Sequence, residues 1–205
     1  MYNRDSSEID KEFGFERKYK DVEPIKINDL LPPDKYQYLL NHLKEKVENK
    51  QYNYEDDMYR KVANSSVLDE ITEYLLPVAR KVFNSETLVP SYTLWSEYDN
   101  SRSNLLHHLD SNACTYTIDM CVYQDNEWPL WVENKEYHLE PNTALAYYGE
   151  DQVHWRDEFG KDGVVAMIFF HFVEPDHWWF NYTEEWYKNE HAKRCWNYQK
   201  ALGLF

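Results

Sequence analysis

Glycine is scarce in this chain, with 5 among 205 residues, and proline adds only 8. Extended disordered or low-complexity tracts lean on such residues, so a packed chain is expected. Cysteine is scarcer still. Cys114, Cys121 and Cys195 are odd in number and lack CxxC spacing, which argues against a disulfide framework and a zinc knuckle. Reduced thiols fit a cytoplasmic setting. Basic residues are outnumbered, 22 against 37 acidic, for a net charge of -15. Such a field repels a phosphate backbone and an anionic membrane surface. Neither nucleic acid nor a membrane is therefore an expected partner, and a neutral or cationic substrate fits better. Long apolar runs are missing too. The longest, GVVAMIFFHFV at 163–173, is too short to span a bilayer and carries a histidine. The leading MYNRDSSEIDKEF has no apolar stretch, so no signal peptide is expected there.

What the chain does have is aromatic mass: 18 Tyr, 9 Phe and 8 Trp within a hydrophobic fraction of 42%. Such side chains bury large areas with few rotatable bonds, and the length suits one domain, 1–205. Four stretches are distinguishable. Residues 1–24 read as an irregular, charged lead-in. Residues 25–87 read as helical support. One helix follows Pro32-Pro33, with Asp34 as its cap and Tyr38, Leu39, His42, Leu43 and Val47 at helical spacing. A second spans 66–84 on Val67, Ile71, Leu75 and Val78, with a kink or early break at Pro77. Residues 88–173 read as short strands: 88–99, 113–124, a hairpin over 128–139 centred on Glu133-Asn134-Lys135, 142–149 and 163–173. This pattern predicts an α+β fold, a β-sandwich or barrel with helices on one face. The aromatic tail, 174–205, reads as a segment holding a helix over about 182–200 that packs Trp186, Cys195 and Trp196 on the sheet.

The chemistry is concentrated in two places. His108-Leu109-Asp110 stands at a strand exit, and on an extended chain residues i and i+2 point the same way. His154 follows 44 positions later, after three intervening predicted strand segments and just before the last one. Two histidines and one carboxylate make a facial metal-binding triad that leaves coordination sites for other ligands, unlike a closed four-ligand structural zinc site. His107 points away from the triad as a supporting or packing residue. His171 reads as a core histidine within reach of the site. His138 and His177 read as surface, and Asp119 as a buried strand carboxylate without an assignable role.

These residues resemble the 2-oxoglutarate- and iron(II)-dependent oxygenase superfamily, the prolyl-hydroxylase-like group. The resemblance covers about 88–173: YTLWSEYD, then HHLDSNACTYTIDMCVYQDNEW, then LEPNTALAYYGEDQVHW and the closing strand. LEPNTALAYY takes the place of the family's L-x-P-G approach to the second histidine. Asn142 stands for glycine and tolerates the same left-handed turn. The resemblance implies a double-stranded β-helix (jelly-roll, cupin-like) core with N-terminal supporting helices and a C-terminal helix. It implies Fe(II) held by His108, Asp110 and His154, with 2-oxoglutarate and dioxygen as co-substrates. It also implies hydroxylation of a C–H bond in a peptide or protein side chain or an amino-acid-like small molecule.

One departure stands out. The family places a basic residue early in the strand after the distal histidine, to clamp the far carboxylate of 2-oxoglutarate. Here that strand, GVVAMIFFHF, has none. Arg156, Lys161 and Arg102 are the substitutes, with Arg156 favoured by its i+2 relation to His154. Tyr98 and Tyr116 are candidate hydroxyl donors to the same carboxylate. Two other readings stay open: a cupin-like metal enzyme that does not use 2-oxoglutarate, and a non-catalytic β-sandwich binding module.

Overall fold

The computed structural model describes residues 6–14, 16–110 and 113–177, with positions 193, 197, 200 and 201 of the tail. The lead-in is not irregular throughout. Helix α1 (Ser6–Phe13) buries Ile9 with Leu109, Val153 and Trp155. Behind it, Arg17 pairs with Asp10 at 2.8 Å and with Glu133, tying the lead-in to the β-structure. A short strand β1 (Ile25–Ile27) then joins the edge of a sheet.

Helix α2 (Pro33–Glu48) begins directly after Pro32. Proline suits this first turn because its missing N–H has no helical acceptor there. Asp34, expected as the cap, lies in the first turn instead, and no side chain caps the helix. Strands β2 (Asn53–Glu55) and β3 (Arg60–Ala63) form a hairpin. Helix α3 (Ser66–Phe83) is capped by the Ser65 side chain, which accepts from the Leu68 N–H, and is closed by Asn84 in the left-handed region. It runs through Pro77 without the expected break. Pro77 and Glu73, the residue whose carbonyl loses its N–H partner, are both exposed.

Eight further strands follow: β4 (Val89–Tyr98), β5 (Leu105–His108), β6 (Tyr116–Gln124), β7 (Leu130–Val132), β8 (Lys135–Tyr137), β9 (Ala144–Tyr147), β10 (His154–Arg156) and β11 (Val165–Val173). They form two sheets. The larger runs β1-β9-β6-β11-β4-β3-β2 and the smaller β5-β10-β7-β8. From β4 onward the chain alternates between the sheets, save for the β7–β8 hairpin within the smaller one, in the winding of a double-stranded β-helix. The β7–β8 turn holds Glu133 and Asn134 at positive φ, as a two-residue hairpin requires.

The larger sheet is apolar on both faces, and side-chain parity assigns each face its partner. On β11, Ala166, Ile168, Phe170 and Phe172 pack with α2 and α3 in one core. Val165 and Met167 point the other way, into a second core with Leu130 and Val132 of the smaller sheet. On β6, Ile118, Met120 and Val122 face the helices, whereas Cys121 lies in the inter-sheet core. Each phenylalanine so buried contributes about 1.5–3 kcal/mol. Toward one end of the inter-sheet space, apolar residues give way to polar ones. The expected helix at 182–200, with Trp186, Cys195 and Trp196, lies outside the described residues apart from the helical positions 193, 197 and 200.

Candidate metal centre

The antiparallel pairing of β5 with β10 sets His108 directly opposite His154. Their rings lie 4.1 Å apart between centroids. His108 Nδ1 lies 2.7 Å from the Leu106 carbonyl, and His154 Nδ1 lies 2.9 Å from that of Gln152. A carbonyl only accepts, so each Nδ1 carries the hydrogen and each Nε2 presents a lone pair. The two Nε2 atoms lie 3.5 and 3.6 Å from the same Oδ1 of Asp110. Ligands of one ion at about 2.0–2.2 Å have similar mutual separations. The donor set, two imidazoles and one carboxylate, therefore fits a divalent transition metal with open positions.

The carboxylate is held from behind. The Asp110 N–H donates to the Gly149 carbonyl at 2.8 Å. A Cβ on Gly149 would lie 2.4 Å from Asp110 Oδ2 and 2.7 Å from both the Cys114 carbonyl and Thr117 Oγ1. Burial disfavours charge on Asp110, but His154 and His108 outweigh it and hold the carboxyl well below its ordinary range. Burial and the neighbouring His154 lower His108. Asp110 also lies within reach of Cys114 and His171. That second trio is the poorer metal site. Burial keeps the Cys114 thiol protonated, and His171 Nδ1 is engaged by Thr117 Oγ1 at 3.1 Å.

The triad opens on a cavity of about 140 Å³. Asp119, Tyr147, Arg60, Met58 and Leu94 are among the residues that line it. Asp119 accepts from the Tyr147 hydroxyl at 3.0 Å, and its second oxygen has no partner among the described residues. Chiefly through burial, its carboxyl is pushed up to about 7.

Arg156 points inward like His154, as the i+2 spacing predicts, and is 3% exposed. Its guanidinium lies over the Trp128 ring, donates to the Trp128 carbonyl and approaches Met167 Sδ at 3.6 Å. No carboxylate among the described residues comes within 4 Å of it, and Asp157 and Glu158 are exposed. Burial lowers its proton affinity, and the hydroxyl of Tyr98 is the first group opposing that. Tyr98 is fully buried and accepts from Arg60 Nη1 at 3.1 Å.

Tyr116 is not brought to the site. It shares the parity of Ile118, so it faces the helices, packs on Phe83 and donates to Glu174 at 3.3 Å. Lys161 and Arg102 are exposed, the latter over the Tyr59 ring. His107 stacks on Trp155 outside the site, and His171 is both buried and part of the cavity wall. Sequence reasoning missed Arg60 and Gly149. Arg60 sits on a four-residue strand too short to show a period. Gly149, in YYGEDQVHW, carried the one available signal: a lone glycine close before a candidate ligand.

No protein-family model matches the chain, and no curated protein does. Solved structures do. The fold class they define is the α+β double-stranded β-helix of non-haem ketoglutarate-dependent enzymes and prolyl hydroxylases. SnoN, a non-haem alpha-ketoglutarate-dependent epimerase from nogalamycin biosynthesis, matches with a TM-score of 0.62 and 9% identity, over 74% of this chain and 77% of that one. HygX from Streptomyces hygroscopicus, solved with nickel, 2-oxoglutarate and hygromycin B, matches with a TM-score of 0.58 and 10% identity, over 75% and 83%. A Pseudomonas putida prolyl-4-hydroxylase matches with a TM-score of 0.55 and 10% identity, over 81% and 98%. No helix among the described residues is long and apolar enough to cross a membrane.

Proposed function

We propose that this chain is a non-haem Fe(II)- and 2-oxoglutarate-dependent dioxygenase. In this reading it oxidises a C–H bond of a peptide or protein side chain or of an amino-acid-like small molecule, with hydroxylation as the default outcome. The observation that carries the reading is the convergence of His108 Nε2 and His154 Nε2 on one oxygen of Asp110, at the polar end of a double-stranded β-helix. Bound iron would couple decarboxylation of the keto acid by dioxygen to that oxidation.

The chain's own residues have separable tasks. The Leu106 and Gln152 carbonyls fix both imidazole tautomers, which is how outer partners orient metal ligands. Gly149 holds Asp110 in place through its carbonyl and its lack of a side chain. Arg156, a buried cation that forms no ion pair within 4 Å among the described residues and feels the Asp119 carboxyl only at longer range, serves as the clamp for the distal carboxylate of 2-oxoglutarate, with Tyr98 beside it. The apolar inter-sheet core keeps water from that end of the site.

The test is an anaerobic titration of the iron-loaded protein with 2-oxoglutarate. A weak visible charge-transfer band is expected to appear and saturate. Arg156→Ala should raise the half-saturating concentration roughly 10- to 100-fold, the loss of a charge-assisted contact. Iron bound without any band would end the 2-oxoglutarate reading, and a normal titration in Arg156→Ala would remove that residue from the clamp.

A further inference from the structure

The net charge of -15 favours a neutral or cationic substrate, but net charge describes the whole surface, and the cavity has its own. Arg60 belongs to β3, where it pairs with Tyr98 of β4. Paired residues of adjacent strands share a face, so Arg60 lies on the side of the larger sheet that looks into the inter-sheet space. It lines the same cavity as His108, Asp110 and His154.

Two contacts hold its guanidinium. Nε donates to Glu55 Oε2 at 2.6 Å and Nη1 donates to the Tyr98 hydroxyl at 3.1 Å. A guanidinium has five N–H donors, and no hydrogen bond from Nη2 is formed with the described residues. The side chain is 13% exposed and Glu55 is 38% exposed, and Arg60 is among the residues that line the cavity. The apolar part of the cavity lining is Met58, Leu94, Leu105 and Phe169. Asp119 also lines the cavity, from β6, three strands along the same sheet, with one oxygen unpartnered among the described residues. Arg156 lies elsewhere, in the inter-sheet core against Trp128 and Met167, and is not part of this wall.

We propose that Arg60 is a substrate-recognition residue, and that the substrate presents a carboxylate on an apolar aliphatic or aromatic body. This rests on the reading of the triad as a metal centre. Arg60 then takes the acid group, and Met58, Leu94 and Leu105 take the apolar body.

The test uses paired acids and amides, phenylacetate against phenylacetamide and hexanoate against hexanamide, titrated calorimetrically into the protein loaded with iron and 2-oxoglutarate under argon. Each acid should bind roughly tenfold or more tighter than its amide, as expected for a hydrogen bond to a charged group. Arg60→Gln should erase that preference, Arg60→Lys should keep part of it, and Arg60→Glu should favour phenethylamine instead, a reversal that misfolding cannot produce. Equal binding of acid and amide to the unaltered protein overturns the proposal, and so does an undiminished preference in Arg60→Gln. A parallel loss of 2-oxoglutarate affinity in Arg60→Gln also overturns it, because Arg60 would then serve the co-substrate. If 2-oxoglutarate fails to bind at all, the same titrations on the protein loaded with iron alone still read the acid preference, so the two readings fail separately.

Discussion

At position 149 the only side chain that fits is a hydrogen atom. An added Cβ would meet Asp110 Oδ2 at 2.4 Å, and two other oxygens at 2.7 Å block its retreat. The carboxylate is the flexible partner, so it is what would move, away from the point where both Nε2 atoms converge. Gly149→Ala should therefore weaken iron binding by about 10- to 100-fold, the range seen when support behind a metal ligand is lost. Its stability cost should stay near the ~1–3 kcal/mol of an overpacked site. Anaerobic iron titration checks the first effect and urea unfolding the second. Iron affinity equal to that of the unaltered protein would show that Asp110 does not depend on this close approach.

Between residue and sheet, Asn142 shows how turns join elements here. Its φ is 65°. Its side chain accepts from the Leu31 N–H at 3.0 Å and donates to the Leu31 carbonyl at 2.9 Å, so the turn before β9 is fastened to the segment leading into α2. Asn142→Ala loses both bonds and leaves in the left-handed region a residue without asparagine's tolerance of it, for about 2–4 kcal/mol in all. Asn142→Gly loses the bonds alone, for about 1–2 kcal/mol. Urea midpoints in the order unaltered, Gly, Ala are expected, and coincidence of the two variants would leave no role for the backbone conformation. The left-handed turn itself was legible in the sequence, because asparagine, after glycine, is among the residues that enter that conformation most readily. So were the long elements. α2 and α3 have enough turns to display a stripe, and β4, β6 and β11 are nine or ten residues long. Of the three- and four-residue strands, β7, β8 and β9 fall within stretches read as strand, but β1, β2 and β3 lie in the stretch read as helical support, since a period cannot be seen in so few residues; β3 carries Arg60. Parity was the other gap. HxD fixes its own relative orientation, so the triad could be read. The face on which Tyr116 lies depends on the absolute register of β6, and that is set by partners on β9 and β11.

Taken whole, the molecule closes its two main cores with hydrophobic side chains, and of the three proposed metal ligands His154 packs at the margin of one, against Tyr147. Iron should thus stabilise a fold that already exists, in contrast to small domains that fold only on their metal. It would nonetheless join distant parts: His108 and Asp110 at the end of β5, His154 on β10, and through Gly149 the loop after β9. An ion that binds only the folded chain adds about 2.7 kcal/mol when its free concentration is a hundred times its dissociation constant. For a chain of this size that corresponds to roughly 5–10 °C in Tm. Chelation should lower Tm by that amount while leaving the far-ultraviolet circular dichroism at 25 °C unchanged, and anaerobic Fe(II) should restore it. His154→Ala should show no response to iron, with a Tm at or below that of the chelated protein because a buried imidazole is lost. A chelated protein that is unfolded at 25 °C would show that the cores do not suffice, and an iron-dependent shift that persists in His154→Ala would place the ion at another site.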